Sequence, residues 1–132
     1  MANSTLVRIE VEGDRSAVEE ALKAGRLSGF AMDSEGCLAR ESLWKDRFDG
    51  AAEISRELPG MAVSVAAVEL GNGNAEARVF FGGETVGSYD MPDDELAEVA
   101  GPDLDEAAVL ENLFSTVHAY AADAVAAANP RP

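Results

Sequence analysis

The residues able to perform acid–base, nucleophilic or metal chemistry are few in this chain, and they do not gather into a motif. The sole histidine is His118 and the sole cysteine is Cys37. An imidazole titrates near neutrality and could serve as a general base or a metal ligand. Leu110, Phe114, Val117 and Ala121 surround His118 at helical spacing, however, which makes it a boundary residue of an amphipathic helix with its tip in water. No G-x-S-x-G elbow accompanies it. One Cys and one His cannot fill the four positions of a structural zinc site. Cys37 has no flanking pattern that would lower its thiol pKa and reads as a small buried or half-buried residue. Gly71-Asn72-Gly73-Asn74 and Gly82-Gly83 lack the Lys-Ser/Thr of a phosphate-binding loop and lie between strands, as hairpin turns do. Among 25 acids a carboxylate pair can always be chosen, so a glycosidase pair does not follow from number alone. Asp90 to Glu106 does not keep the alternating donor spacing of a calcium loop. The expectation is a chain without catalysis, cofactor or metal.

Charge is the stronger signal. The 132 residues carry 25 acids and 10 bases, a formal −15. A field of that sign repels phosphate, so direct binding to nucleic acid or to an anionic membrane is disfavoured. Arg40, Lys45, Arg47 and Arg56, with Trp44 and Phe48, are the nearest approach to a basic–aromatic cluster. Glu41, Asp46, Asp49, Glu53 and Glu57 interleave them, as on a solvated helix with paired charges. The charge is also segregated: residues 1–78 hold 14 acids and 9 bases, whereas Val79 to Pro130 hold 11 acids and no Lys or Arg. The densest part comprises Asp90, Asp93, Asp94, Glu95, Glu98, Asp103, Asp105 and Glu106.

Three readings of that segment stand open. It is a solvated surface that keeps the protein soluble; or an acidic face for a protein partner with a basic surface; or part of a small-ligand binder or enzyme whose site the sequence does not reveal. In a narrower form of the second, helical carboxylates about 5–6 Å apart mimic successive phosphates, as in a nucleic-acid-mimicking anti-defence inhibitor. Self-association as a homodimer, through an open sheet face or edge, is a further expectation.

The elements that would position these residues follow from periodicity. Thr5–Glu12 alternates as a strand with Val7, Ile9 and Val11 on its apolar face. A helix follows, capped by Asp14 or Ser16 and stopped at Gly25. Phe30-Ala31-Met32 admits a short strand. From about Leu38 to Leu58 the pattern is helical, with a kink or break expected at Asp49-Gly50 and a stop at Pro59-Gly60. Met61–Leu70, Ala75–Phe81 and Glu84–Tyr89 form an antiparallel meander. Pro92 opens a short helix at its first position, with Asp93, Asp94 and Glu95 against the positive end of the dipole. Gly101-Pro102 breaks it. Asp103 and Glu106 have capping-box spacing, and a long helix runs to about Ala128.

The opening strand with Val11-Glu12-Gly13-Asp14 leading into a helix resembles the start of the YubB-type ferredoxin-like domains of plasmids and phages. The helix ending at Leu58-Pro59, the strand of Val63, Val65 and Ala67, a turn containing Glu69 and the return strand ending at Phe80-Phe81-Gly82 are similar too. Trp44-Lys45-Asp46-Arg47-Phe48-Asp49 echoes that family's tryptophan-rich motif at Trp44 and Asp49 and approximately at Arg47 and Phe48. The resemblance spans roughly residues 1–25 and 44–87, and the family's second Trp-Pro motif is absent. It implies a ferredoxin-like sandwich carried on mobile elements, with no established activity.

The expected fold is therefore α+β and ferredoxin-like. Its sheet is antiparallel with about four strands and helices packed on one face, and the 103–128 helix lies across or beside it. Residues 1–128 form one domain and 129–132 a frayed tail. Without an apolar leader, a spanning segment or a possible intramolecular disulfide, the chain reads as cytoplasmic.

Overall fold

The strand Ala62–Glu69 (β4) organises the molecule, and its composition explains why. It is apolar on both faces: Val63 and Val65 point one way, and Ala62, Ala66 and Val68 point the other, all buried. A strand without a polar face must be covered twice. In the computed structural model, which describes residues 6–13, 15–27, 30–32, 38–39, 43–70 and 73–128, it is covered twice.

Leu6–Glu12 (β1) pairs along its whole length with β4, from Leu6 opposite Val68 to Glu12 opposite Ala62. Arg15–Lys23 (α1) follows. Its end is a Schellman turn in which the Arg26 N–H donates to the Ala21 carbonyl (3.0 Å) and the Gly25 N–H to the Leu22 carbonyl (3.2 Å). Gly25, at φ 74°, takes the left-handed position that this closure requires. Two-residue strands, Ala31–Met32 (β2) and Leu38–Ala39 (β3), pair with each other, and Leu38 lies opposite Ile9 of β1. Leu43–Glu57 (α2) leads into β4. Asn74–Phe81 (β5) and Glu84–Asp90 (β6) complete the meander, then Asp93–Ala100 (α3) and Glu106–Ala128 (α4). The sheet order is β2-β3-β1-β4-β5-β6, with every neighbouring pair antiparallel.

The α+β class with an antiparallel sheet is the one expected, and four of the strands are long. Consistent with a ferredoxin-like arrangement, α1 and α2 pack on one face over Ile9, Val63, Val65 and Phe80, contributing Val18, Ala21 and Ile54, with Leu58 directly after α2. The opposite face is covered as well. There Val109, Leu113 and Val117 of α4, with Leu96 of α3, pack on Ala62, Ala66, Val68, Ala75, Ala77 and Val79. The alanines of this face let a helix approach closely. Each fully buried Val or Leu on α4 contributes about 1.5–3 kcal/mol of transfer free energy. The result is three layers, in which α4 is a second lid on the sheet.

Local details differ from the sequence reading in four places. Leu38–Ala39 is strand, and α2 starts only at Leu43. The helix runs unbroken through Asp49-Gly50: Gly50 is buried against the core, and packing of Ala51, Ile54 and Leu58 outweighs the roughly 1 kcal/mol propensity cost of an internal glycine. Pro92 is the N-cap of α3, in extended conformation at φ −63° and ψ 154°, and Asp93 is the first helical residue. For α4 the cap is Asp105, whose carboxylate accepts the Ala108 N–H at 3.1 Å. Asp103 lies in the preceding turn.

The β5–β6 hairpin closes through Gly82 (φ 60°) and Gly83 (φ 85°), two successive left-handed residues that match the strand twist. Its tip is tied to α2. The buried Ser55 hydroxyl donates to the Ala52 carbonyl (2.7 Å) and accepts the Gly83 N–H (2.8 Å).

Candidate functional site

The acidic segment occupies the end of β6, all of α3 and the start of α4. Leu96 and Ala100 turn inward onto the second core, which leaves the charged positions of α3 to solvent. Asp93, Asp94 and Glu98 are exposed on α3, Asp103 and Asp105 are exposed in the turn after it, and Glu95 and Glu106 are half-buried. These members lie on α3, in the turn after it and at the start of α4, whereas Asp90 faces Arg78 on the other side of the sheet. Asp93, Asp94 and Glu95 fall in the first turn of α3, where the helix dipole favours negative charge.

Four of the eight carboxylates hold local structure. Asp90 accepts from the Arg78 guanidinium at 3.0 Å, and Glu76 flanks the same group at 3.7 Å. Arg78 is the last base before the acidic half and is largely covered. Its guanidinium carbon lies 5.0 Å from the centre of the Phe48 ring, so α2 and two carboxylates hold it on the other sheet face. Glu95 accepts a short hydrogen bond from the Tyr89 hydroxyl. That bond, with burial and the negative charges of Glu95 and Asp94, holds the phenol above its ordinary value of 10.0. Asp105 caps α4, and Asp94 accepts the Glu95 N–H at 3.0 Å. Asp93, Glu98, Asp103 and Glu106 are the remaining members of the face.

His118 lies on the exposed side of α4. Cys37, Arg40 and Glu41 lie outside the described residues, as do Gly71, Asn72 and the 129–132 tail; the side chains of Trp44, Lys45, Asp46 and Arg47 do also. Among the described residues no three His, Cys, Asp or Glu side chains are grouped to hold a metal ion, and no helix is long and apolar enough to cross a membrane.

Compared with protein-family models, curated proteins and solved structures, the chain matches none.

Among the described residues, two concave surfaces lie beside the face. One, of about 380 Å³, lies between α3 and the pair Leu70 and Gly73, with Leu96, Ala97, Ala100 and Leu104 along it and Asp93 in its lining. Leu104 is 65% exposed and is the one non-glycine residue with positive φ (51°) among the described residues. The other, of about 550 Å³, lies between α4 and β1. Arg8, Glu10 and Glu111 edge it, over Leu110 and Phe114. The only hint of the first was an apolar residue between two aspartates, Asp103-Leu104-Asp105, directly after the Gly101-Pro102 break.

Proposed function

We propose that this protein is a non-catalytic interaction module that binds a basic protein surface through its acidic face on α3 and the α3–α4 turn. One observation carries the reading. Five carboxylates, those of Asp93, Asp94, Glu98, Asp103 and Asp105, are exposed together on a packed, two-sided scaffold. No Lys or Arg occurs from Val79 to Pro130 to balance them. The nearest base before that stretch, Arg78, is engaged by Asp90 on the other sheet face. An unbalanced field of this kind speeds encounter with a positive partner and selects against negative ones. It also disfavours direct contact with nucleic acid.

A narrower form, the nucleic-acid mimic, draws on Asp94 and Glu98, which stand one helical turn apart and are both exposed. Their spacing of about 5–6 Å is on the scale of phosphate repeats. In that form the partner handles DNA or RNA, and free nucleic acid competes for it. A small-ligand role is the less supported alternative: the groove beside α3 has Asp93 as its one charged lining residue, and the one between α4 and β1 is open to solvent.

The test is partner capture on immobilised protein at low ionic strength, followed by identification of what elutes with salt. The expected partner is basic and is lost when Asp93, Asp94, Glu98 and Glu106 are changed to Asn or Gln. A partner held equally by that variant would refute the reading. Added duplex DNA or RNA should release the partner if the mimic form holds.

A further inference from the structure

We propose that the groove between α3 and the pair Leu70 and Gly73, with Leu104 at its rim, docks a basic segment of another protein and takes an apolar side chain from it. The proposal rests on the acidic-face reading for the sign of the partner and adds what charge alone does not supply, an apolar anchor. Leu70, Leu96, Ala97 and Ala100 give the groove an apolar floor, with a volume of about 380 Å³. Leu104 is one of only three large hydrophobic side chains exposed among the described residues, and at 65% it is the most exposed.

Its backbone is held in the left-handed region at φ 51°, a conformation disfavoured for a residue with a Cβ. The turn that imposes this is well bonded. The Leu104 N–H donates to the Gly101 carbonyl (3.2 Å), the Asp105 N–H to the Ala100 carbonyl (2.9 Å), and Asp105 caps α4. Leucine is thus kept where glycine or asparagine would sit without strain, and its side chain stands in solvent beside an apolar channel.

The rim identifies the occupant. Asp93 lines the groove, Asp103 and Asp105 adjoin Leu104 in the chain, and all three are exposed. An apolar cleft with one carboxylate in its lining and two more next to Leu104 in the chain suits a segment with Lys or Arg around a Leu-, Ile- or Met-like side chain. A second copy of this chain is the wrong partner, because it would bring another acidic rim and a second formal charge of −15 to the contact.

The experiment uses the full chain and two synthetic peptides of equal length and charge, one amphipathic Lys/Leu and one Lys/Ser. Backbone-amide NMR locates binding and titration gives affinity. The Lys/Leu peptide should bind about tenfold more tightly, the worth of partly burying one aliphatic side chain, and should shift Leu96, Ala97, Ala100 and Leu104. Leu104→Asn should abolish that advantage while leaving Lys/Ser binding unchanged, and asparagine tolerates the left-handed backbone, so the fold is kept. Ala97→Gln, which fills the groove from an exposed helical position, should do the same.

Equal affinity for the two peptides, or an undiminished advantage in both variants, overturns the anchor. If Lys/Ser binding still falls when Asp93, Asp94, Glu98 and Glu106 are neutralised, the acidic-face reading survives that result. If neither peptide responds to neutralisation, both readings fail. Concentration-dependent dimerisation abolished by Leu104→Asn would reassign the groove to self-association and overturn the proposal.

Discussion

Replacing Gly87 by alanine tests whether α4 lies on β6 as described, and with it the scaffold that presents the acidic face. A Cβ on Gly87 would stand 2.4 Å from Tyr120 Cγ and 2.6 Å from its Cβ and Cδ2. The near end of a side chain cannot swing aside as its tip can, so relief requires α4 itself to shift. Overpacking of this kind costs about 1–3 kcal/mol. At this chain length that corresponds to a fall in Tm of very roughly 3–15 °C. Tyr120 is 46% exposed, so Tyr120→Ala should be tolerated. In that background Gly87→Ala should be neutral or slightly stabilising, because alanine is the better residue within a strand. Urea denaturation of the four proteins of this cycle gives the coupling directly. The reasoning is refuted if Gly87→Ala costs nothing alone, or costs as much without the Tyr120 ring as with it.

Three further outcomes follow from the same contacts. Ser55→Ala leaves the Gly83 N–H without its buried acceptor and should destabilise by about 1–3 kcal/mol, read by urea denaturation. Asp105→Ala removes the cap of α4 and should cost about 1 kcal/mol, whereas Asp103→Ala should cost much less; thermal melts compare the two. In a Tyr120→Phe background, ultraviolet titration should show Tyr89 ionising above 10.0, and Glu95→Gln should bring it down. Because the folded-state value is raised, the stabilisation is intact below the unfolded value of about 10 and is lost as pH rises through the folded value.

The long strands were legible because alternation over seven or eight residues is a repeated signal and glycines punctuate it. Leu38–Ala39 was not, since two residues show no period; their pairing opposite Ile9 and Met32 is decided by the tertiary fold. The second helical layer was written in β4 but easy to overlook. Val63, Val65 and Ala67 alternate so clearly that the even positions read as the outer face, although Ala62, Ala66 and Val68 are apolar too. The acidic face was visible as a count of residues. The local work of its members was not, because Asp90 meets Arg78 only through the β5–β6 register and Tyr89 reaches Glu95 across the strand–helix junction. The apolar groove lies between segments distant in sequence, and Leu104 takes an improbable backbone conformation that propensities argue against.

If the exposed carboxylates of α3 and its following turn drive association, the association rate of the captured partner must depend on them and on salt. Measured across ionic strength, the native rate should fall by about an order of magnitude or more from low to physiological salt, while the variant neutralised at Asp93, Asp94, Glu98 and Glu106 should be slow and nearly flat. Equal rates with equal salt dependence for the two proteins would contradict that role.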